Sequence, residues 1–306
     1  MQSDDRTDNK PGDRTDDSSM RQAMLNKLSA IYDEYHLSPI QQFAVDKFMR
    51  DLVADRNNDK VYRVREWIVK KINGVKIPPI VEGQKGCPGI VPGLRAKQWW
   101  YEVVMFRDSE DFPWIKVFED NLEKIKQEVL GLKSKSGFQP YRAPTWTLEN
   151  KAEDGIGTEG TDRGKWNIFY LYLHELKFEE NCEKLPFTVS LIEKHIPRHY
   201  HHALISAMVP DTHILKHYGP TNKKLRFHLP LTGVQGSYLR VGDEKRPLQE
   251  GKVNKYHIQG YVFDDSFEHE AWHEGKTTRV ILIADLWHPD LSDHEVKFFN
   301  MLQKVR

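Results

Sequence analysis

Apolar side chains recur at helical spacing in the first quarter of the chain. Three segments place apolar residues three and four positions apart, which is the pattern of an amphipathic helix: 20–35, 39–56 and 62–72. Ser38 is a typical residue for a helix start, and Asn73 followed by Gly74 is a typical helix end. We therefore predict three helices before any strand.

The segments around these helices have a different composition. Residues 1–19 carry almost no apolar side chain and cannot bury enough surface to offset the entropy of folding, so we predict a disordered tail. Residues 76–94 are rich in proline and glycine, which predicts an extended linker and makes 20–91 a helical lead-in. Helical spacing returns at 114–132. Residues 133–165 are loop-rich and form a candidate substrate lid.

The pattern changes to short alternating runs from about residue 165 onward. Runs containing Val, Ile, Tyr and Phe are separated by turn residues, which predicts strands. Ser292 and Glu295 form a capping box that starts a last helix reaching about residue 303. We predict a mainly β fold with flanking helices around a double-stranded β-helix core of the cupin or jelly-roll type, spanning 92–306.

The run 279–287 has a special composition. It is almost continuously apolar, which is typical of a strand buried on both faces, yet it opens with Arg279. A guanidinium in such a core needs an anionic partner, and its planar fork fits a carboxylate. The partner is either a bound acid or an internal salt bridge, for instance to Glu268 or Glu270.

The charge balance limits the class of partner. Lys plus Arg and Asp plus Glu each total 45, so no net field favours nucleic acid or an anionic membrane. No apolar run approaches the roughly 18 residues of a membrane-spanning helix, and the first residues lack the pattern of a signal peptide. Two cysteines are too few for a disulfide scaffold. We expect one soluble catalytic domain with a helical lead-in, located in the cytoplasm.

Two histidines are candidate metal ligands. His217 and His269 stand among other polar residues, and a non-haem iron site uses two histidines and one carboxylate. The carboxylate is expected two residues after the first histidine, where this chain has Gly219. Either water fills the third position, or both histidines are ordinary loop residues. Asp265, beside Asp264, could hydrogen-bond a metal-bound water without ligating the metal.

Strand periodicity sorts other candidates by face. Arg226 and His228 are two residues apart in one predicted strand, and Ser206 and Met208 are two apart in another, so each pair shares a face. The two members of each pair can therefore face the same pocket. For Arg226 the alternative is a surface charge at a strand end.

Several motifs together resemble the aspartyl/asparaginyl beta-hydroxylase family. The motifs lie at 92–100, 164–166, 206–208, 217–229, 263–272 and 279–291, so the resemblance runs from residue 92 to the end of the chain. It implies an iron(II)- and 2-oxoglutarate-dependent oxygenase with a two-histidine metal site and O2 as cosubstrate.

The resemblance also implies a role for each matching residue. His217 and His269 would bind iron, and Arg279 would pair with the distal carboxylate of 2-oxoglutarate. The cosubstrate would also contact Ser206 and His228, in a pocket lined by Trp166 and Met208. Arg226 and Lys224 would face the substrate. Lys224 differs from the arginine more common in the family, and 254–261 is an insertion before the second histidine.

The implied reaction is hydroxylation of the β carbon of an Asp or Asn residue in a peptide or protein. One alternative is a hydroxylase of the same family that acts on a lipid or a small acid. Another is a catalytically inert, cupin-like binding protein, because a fold does not by itself guarantee activity.

Overall fold

The polypeptide forms two compact units, Met1–Lys76 and Ile77–Arg306. The computed structural model describes residues 28–53, 59–101, 112–132, 138–140, 161–248 and 260–303. The predicted tail, most of the predicted lid and all but the last two residues of the 254–261 insertion lie outside these ranges. Those interpretations therefore stay predictions.

The first unit is helical where it is described. Residues 28–34 are helical, helix α1 spans Pro39–Phe48, and helix α2 spans Tyr62–Ile72, as predicted. The Ser38 hydroxyl caps α1, because it accepts from the backbone N–H of Gln41. The α-helix is shorter than the predicted 39–56, since a π-helical turn follows it at Met49–Val53.

The proline- and glycine-rich segment belongs to the second unit. It contains a short 3-10 helix, Glu82–Gln84, and residues beyond this helix pair with the loop that contains Asn222. The Asn222 side chain accepts from the backbone N–H of Val91 and donates to its carbonyl oxygen. The observed boundary at Lys76 therefore precedes the predicted domain start at residue 92.

Thirteen strands of the second unit form two antiparallel sheets among the described residues. In chain order they are β1 Trp99–Tyr101, β2 Gln139–Pro140, β3 Thr161–Arg163, β4 Trp166–Leu173, β5 Leu176–Lys177, β6 His199–Met208, β7 Thr212–His217, β8 Lys224–Thr232, β9 Ser237–Val241, β10 Glu244–Pro247, β11 Tyr261–Phe263, β12 His269–His273 and β13 Arg279–Trp287. One sheet has the order β1-β11-β8-β13-β6-β4-β2, with β5 beside β4, and the other has the order β10-β9-β12-β7-β3.

Apolar side chains from both sheets meet in an inner core. Ile168, Leu204 and Ile283 of the larger sheet lie in one cluster with Leu239 and Ala271 of the smaller sheet. Two antiparallel sheets packed face to face around such a core form a double-stranded β-helix, so the predicted fold class is confirmed.

Helices cover the outer face of the larger sheet. They are α3 Ile115–Asp120, α4 Leu122–Leu130, α5 Glu179–Cys182 and α6 Pro186–His195. Phe118 and Ile125 pack with Phe227 and Leu282 in this second core. The predicted helix at 114–132 is divided at Asn121, whose side chain donates to the Val117 carbonyl and ends the first part.

The last helix, α7, spans Asp293–Met301 and begins as predicted. Ser292 accepts from the backbone N–H of Glu295, and the Glu295 side chain accepts from the backbone N–H of Ser292. This capping box satisfies two N–H groups that the helix start would otherwise leave unpaired.

Strand alternation places the candidate pocket residues on the inner face. Trp166 pairs with Met208, and Met208 with Arg279, so these three lie side by side across β4, β6 and β13. Their neighbours Asn167, Ala207 and Val280 point to the helix-covered face, where Ala207 and Val280 belong to the outer core. The sheet therefore separates residues that stabilise the fold from residues that can bind a ligand.

Among the described residues, no helix is long and apolar enough to span a membrane. Cys87 and Cys182 are both buried free thiols.

Helix α6 takes its N-terminal cap from another helix. Leu185 provides no capping side chain, and the Glu128 carboxylate of α4 accepts instead from the backbone N–H groups of Phe187 and Thr188, at 2.7 and 2.8 Å. It also accepts from the Thr188 hydroxyl. A carboxylate at this position pairs with the N–H groups and with the positive end of the helix dipole.

Replacement of Glu128 by alanine should lower the free energy of unfolding by about 1–2 kcal/mol, because α6 then loses its cap. Urea unfolding followed by circular dichroism measures this change. Gln127→Ala, at an exposed position of the same helix, is the matched control. Equal effects of the two variants would contradict the capping role.

Candidate active site

His217 and His269 face each other across neighbouring strands. They are paired in the register of β7 and β12, and their ring centroids are 4.0 Å apart. A bulge follows this pair, since Ala271 lies opposite Ile214. The structure therefore brings together the two histidines that the sequence predicted as metal ligands.

Backbone carbonyls orient both imidazole rings. Nδ1 of His217 lies 2.8 Å from the carbonyl oxygen of Leu215, and Nδ1 of His269 lies 2.9 Å from that of Phe267. Each Nδ1 therefore carries the proton and donates, which leaves the lone pair on Nε2. Burial lowers the pKa of His217 and lowers that of His269 well below its usual range. Both rings are neutral at physiological pH, which is the form that binds a metal ion.

A side chain at position 219 would not fit, because Asp265 fills the space in which it would lie. A Cβ atom at Gly219 would lie 2.5 Å from Oδ1 and 2.7 Å from Oδ2 of Asp265. The backbone N–H of Gly219 also donates to the Asp265 carbonyl oxygen at 2.6 Å. The carboxylate missing from the first loop is thus supplied to the same region by the second loop.

The Asp265 carboxylate is only partly paired. Oδ2 accepts from the Lys224 ammonium at 2.5 Å, while Oδ1 is buried and has no hydrogen-bond partner. In the part of the chain that the structure describes, no three His, Cys, Asp or Glu side chains are arranged to hold a metal ion. The geometry therefore offers two imidazole ligands and one nearby acceptor that can reach a metal ion through water.

Arg279 is a buried cation without a carboxylate partner among the described residues. It is 3% exposed, its Nη2 donates to the Ser206 hydroxyl at 3.2 Å, and its Nε has no partner. Burial lowers the pKa of Arg279 to about 9, so the guanidinium still carries its charge at neutral pH. Glu268 and Glu270, the predicted internal partners, pair with Arg240 instead. An internal salt bridge of Arg279 with Glu268 or Glu270 is therefore not formed.

The other predicted cosubstrate residues lie on the same face of the larger sheet as Arg279. The Trp166 indole donates to the Ser206 hydroxyl at 3.0 Å, and Met208 is fully buried beside it. His228 is 7% exposed, and neither of its ring nitrogens has a partner. Burial holds the pKa of His228 well below its usual range, so this ring is a neutral donor and acceptor.

Phe263 connects these residues to the histidine pair. Its ring lies edge-on to His228 with centroids 4.9 Å apart, and edge-on to His269 at 5.8 Å. The candidate metal ligands and the candidate anion site thus belong to one continuous inner surface.

A cluster of buried charges lies at the other end of this surface. Asp285 receives two hydrogen bonds from the Arg226 guanidinium, at 2.8 and 2.9 Å, and its Oδ2 is 2.9 Å from the Lys224 ammonium. Nδ1 of His202 is 2.7 Å from the same oxygen. Burial alone would raise the pKa of Asp285, but Arg226 and Lys224 hold it well below its usual range.

The two predicted substrate residues differ in exposure. The Arg226 side chain is 18% exposed and also lies 3.2 Å from Asp265, while the Lys224 side chain is 3% exposed between two carboxylates. Lys224 therefore balances charge inside the cluster. A direct substrate contact of either residue stays a prediction.

Asp285 and His202 were not among the predicted site residues. An acid within the apolar run 279–287 is as unusual as Arg279, and this signal could have identified Asp285. His202 lies in a run of four polar or aromatic residues, so its sequence context gave no reason to single it out.

The fold and the paired imidazoles define a double-stranded β-helix protein with a candidate metal centre. The family model described as Aspartyl/Asparaginyl beta-hydroxylase matches residues 119–289, which is more than half of the chain. The chain belongs to this family. The predicted resemblance is confirmed.

Two relatives of known family extend the comparison. The chain is similar to "Aspartyl/asparaginyl beta-hydroxylase" of Mus musculus, with 34% identity over 211 residues, 67% of this chain and 25% of that protein. It is also similar to "Aspartate beta-hydroxylase domain-containing protein 2" of Homo sapiens, with 34% identity over 60% of this chain and 50% of that protein. The chain thus spans half or less of the length of these two relatives.

The chain is also similar to a protein with a different named activity and to a solved structure of low sequence identity. An "Ornithine lipid ester-linked acyl 2-hydroxylase" of Rhizobium tropici is 31% identical over 185 residues, 60% of each chain. A solved oxidoreductase of the 2OG-Fe(II) oxygenase family from Burkholderia pseudomallei has 11% identity and a TM-score of 0.34, over 64% of this chain and 100% of that one.

An aspartate at position 219 should not create a third metal ligand. The new side chain would collide with Asp265, so we expect Gly219→Asp to lower the free energy of unfolding by about 1–3 kcal/mol and to weaken metal binding. Thermal unfolding and Co(II) titration measure both effects. The exchange Gly219→Asp with Asp265→Gly removes the collision and should recover stability. A single variant with unchanged stability and tighter Co(II) binding would contradict this account.

Loss of the Asp285 charge should strongly destabilise the fold. Asp285→Asn leaves Arg226 and Lys224 short of a buried counter-ion, which should cost about 3 kcal/mol or more at pH 7. Because the folded pKa of Asp285 is depressed, its contribution is present above about pH 4 and is lost as the pH falls through the folded value. Urea unfolding at several pH values tests this, with exposed Asp243→Asn as control. Equal unfolding midpoints at pH 7 would contradict it.

Proposed function

We propose that this chain is an Fe(II)- and 2-oxoglutarate-dependent dioxygenase that hydroxylates the β carbon of an Asp or Asn residue in a peptide or protein. One observation carries the proposal. The inner surface that holds the neutral His217 and His269 pair also holds Arg279, a buried cation with no carboxylate partner among the described residues. Such a surface suits a metal ion together with a small acid.

The residues fit an iron ion. His217 and His269 would hold it through Nε2, since both Nδ1 atoms already donate to backbone carbonyls. The unpartnered Oδ1 of Asp265 would accept a hydrogen bond from water at an open position. Iron and 2-oxoglutarate together activate O2 for hydroxylation when they are bound.

The residues also fit a dicarboxylic keto acid. Arg279 would pair with the carboxylate remote from the metal, with the Ser206 hydroxyl and His228 as further hydrogen-bonding groups. Trp166 and Met208 would form apolar walls of the pocket. These contacts would satisfy the atoms of Arg279 and His228 that otherwise lack partners, which is the strongest support for an acid here.

Arg226 would orient the substrate. It is the most exposed member of the charge cluster, with 18% of its side chain exposed. Lys224 and Asp285 would keep this guanidinium in place, so that the substrate meets a preorganised donor. An Asp or Asn side chain offers the acceptor oxygens that such a donor requires.

Anaerobic titration with Fe(II) and then 2-oxoglutarate tests the metal and cosubstrate assignments. The charge-transfer absorption of an iron-chelated keto acid should appear in the wild type and be absent in His269→Ala. Arg279→Met should still bind Fe(II), but half-saturation should require a 2-oxoglutarate concentration at least about 30-fold higher. The loss of a buried charged partner removes about 2 kcal/mol or more of binding free energy. Arg163→Met, on exposed strand β3, is the matched control.

The outcomes separate the parts of the proposal. No absorption band in folded wild-type protein would favour the inert, cupin-like alternative. A band that persists unchanged in Arg279→Met would leave the metal site intact and reject the assigned cosubstrate contact. With both assignments supported, peptides containing Asp or Asn should gain the mass of one oxygen atom.

A lipid substrate is the second candidate, favoured by the name of the similar Rhizobium tropici protein. An assay with ornithine lipid and with Asp- or Asn-containing peptides, under the same conditions, decides between the two. Oxygen incorporation into the lipid alone would replace the peptide proposal.

A further inference from the structure

Each candidate metal ligand is attached to a loop. Residues 218–222 follow His217, and residues 264–268 precede His269. The segment 82–91, which we call the strap, packs against both loops. It arrives from a part of the sequence more than one hundred residues away, as the contacts of Asn222 and Ser266 with it demonstrate.

The strap pairs with the first loop through backbone and side-chain hydrogen bonds. The Gly89 N–H donates to the Pro220 carbonyl at 3.0 Å, and the Thr221 hydroxyl donates to the Gly89 carbonyl at 2.7 Å. The Asn222 amide adds two bonds to the Val91 backbone, at 2.8 and 3.0 Å. The first loop is therefore fixed along three consecutive residues.

Gln84 connects the strap to the second loop. Its Nε2 donates to the Ser266 hydroxyl at 2.7 Å and lies 3.4 Å from Oδ2 of Asp264. The Gly83 carbonyl accepts from the Glu268 N–H at 3.3 Å. Gln84 is fully buried, so these bonds form out of water and their loss leaves polar groups unpaired.

The turn that Gln84 contacts determines the position of Asp265. Oδ1 of Asp264 accepts from the Ser266 hydroxyl at 2.5 Å and from its N–H at 3.0 Å, which closes the turn around Asp265. The Asp265 carbonyl in turn accepts from the Gly219 N–H. A chain of contacts thus leads from Gln84 through Asp265 to the loop that follows His217.

Two glycines allow the strap to lie this close. A Cβ atom at Gly86 would be 2.3 Å from the ring of Tyr218, and one at Gly83 would be 2.7 Å from the ring of Phe267. Tyr218 follows His217 directly, and the Phe267 carbonyl accepts from His269. The strap therefore touches the immediate neighbours of both histidines.

We infer that the strap is part of the metal centre and that Gln84 is a positioning residue for it. By fixing the Asp264–Ser266 turn, Gln84 holds Asp265 against Gly219 and keeps the two histidine loops at the spacing that binds a metal ion. This inference rests on the proposed function, because it assumes that His217 and His269 are metal ligands. A purely structural strap would stabilise the fold and leave metal affinity unchanged.

The variant Gln84→Met tests this role in the full chain. Methionine keeps the approximate length of the side chain but cannot donate to Ser266 or Asp264. Titration with Co(II), followed by its visible absorption, should show about tenfold weaker binding than wild type and a changed spectrum, as for other residues that support metal ligands. Exposed Lys85→Ala, the next residue of the strap, should bind Co(II) as the wild type does.

Unfolding of the metal-free variants distinguishes positioning from stability. A lower midpoint for Gln84→Met with unchanged Co(II) affinity and spectrum would overturn the inference. If Gln84→Met does not fold, Thr221→Val decides, since it removes the bond to Gly89 at the other end of the strap and should also weaken Co(II) binding. If folded Thr221→Val binds Co(II) with wild-type affinity, the strap has no role in the metal centre.

The same titrations distinguish a failure of the proposed function from a failure of this inference. If the wild-type protein binds no Co(II), or if His269→Ala binds it as the wild type does, the histidine pair is not a metal site. If that binding is present and Gln84→Met equals the wild type, the metal site stands and the strap has no part in it.

Discussion

The burial of charge between two apolar sheets is the constraint on which this structure depends. Four charged side chains, Lys224, Arg226, Asp265 and Asp285, form a mutually paired cluster there. Moving a charge from water into such an interior costs several kcal/mol unless a partner of opposite sign is present. The cluster satisfies that condition internally, whereas Arg279 has no carboxylate partner among the described residues.

This contrast gives the two ends of the inner surface different roles. The charge cluster is complete in the absence of a ligand, so it can stay rigid and hold Arg226 in one orientation. The Arg279 end has unpaired donors and acceptors on Arg279 and His228, and binding an acid would satisfy them. In the proposed function, this difference between the two ends would orient the bound ligand.

The loop before His269 supplies a carboxylate at the place where the loop after His217 has none. Asp265 occupies the volume in which a side chain at Gly219 would lie, so glycine is required there by packing. The Asp265 carboxylate is held by Lys224 and Arg226, and in the proposed function it would accept a hydrogen bond from water beside the metal ion. Because contacts of the strap with both loops fix this geometry, residues distant in sequence determine the surroundings of His217 and His269.

The sequence by itself determined most of the elements, the fold class and the family. The capping residues Ser38 and Ser292 began their helices as predicted, alternation assigned Ser206, Met208, Arg226 and His228 to shared faces, and the motifs around His217, His269 and Arg279 identified the family. These signals are local, because they depend on periodicity and on residues close together in the chain. Only the tertiary structure decided what depends on contacts between distant segments. The proline-rich segment resembles a linker in sequence because its hydrogen bonds are made to loops far along the chain. The sequence did not indicate that Lys224 is buried between two carboxylates, because Asp265 lies in a distant loop and Asp285 in another strand. The glycine at position 219 is explained only by Asp265 beside it. Pairing across such separations is set by strand register and packing, which no window of sequence contains.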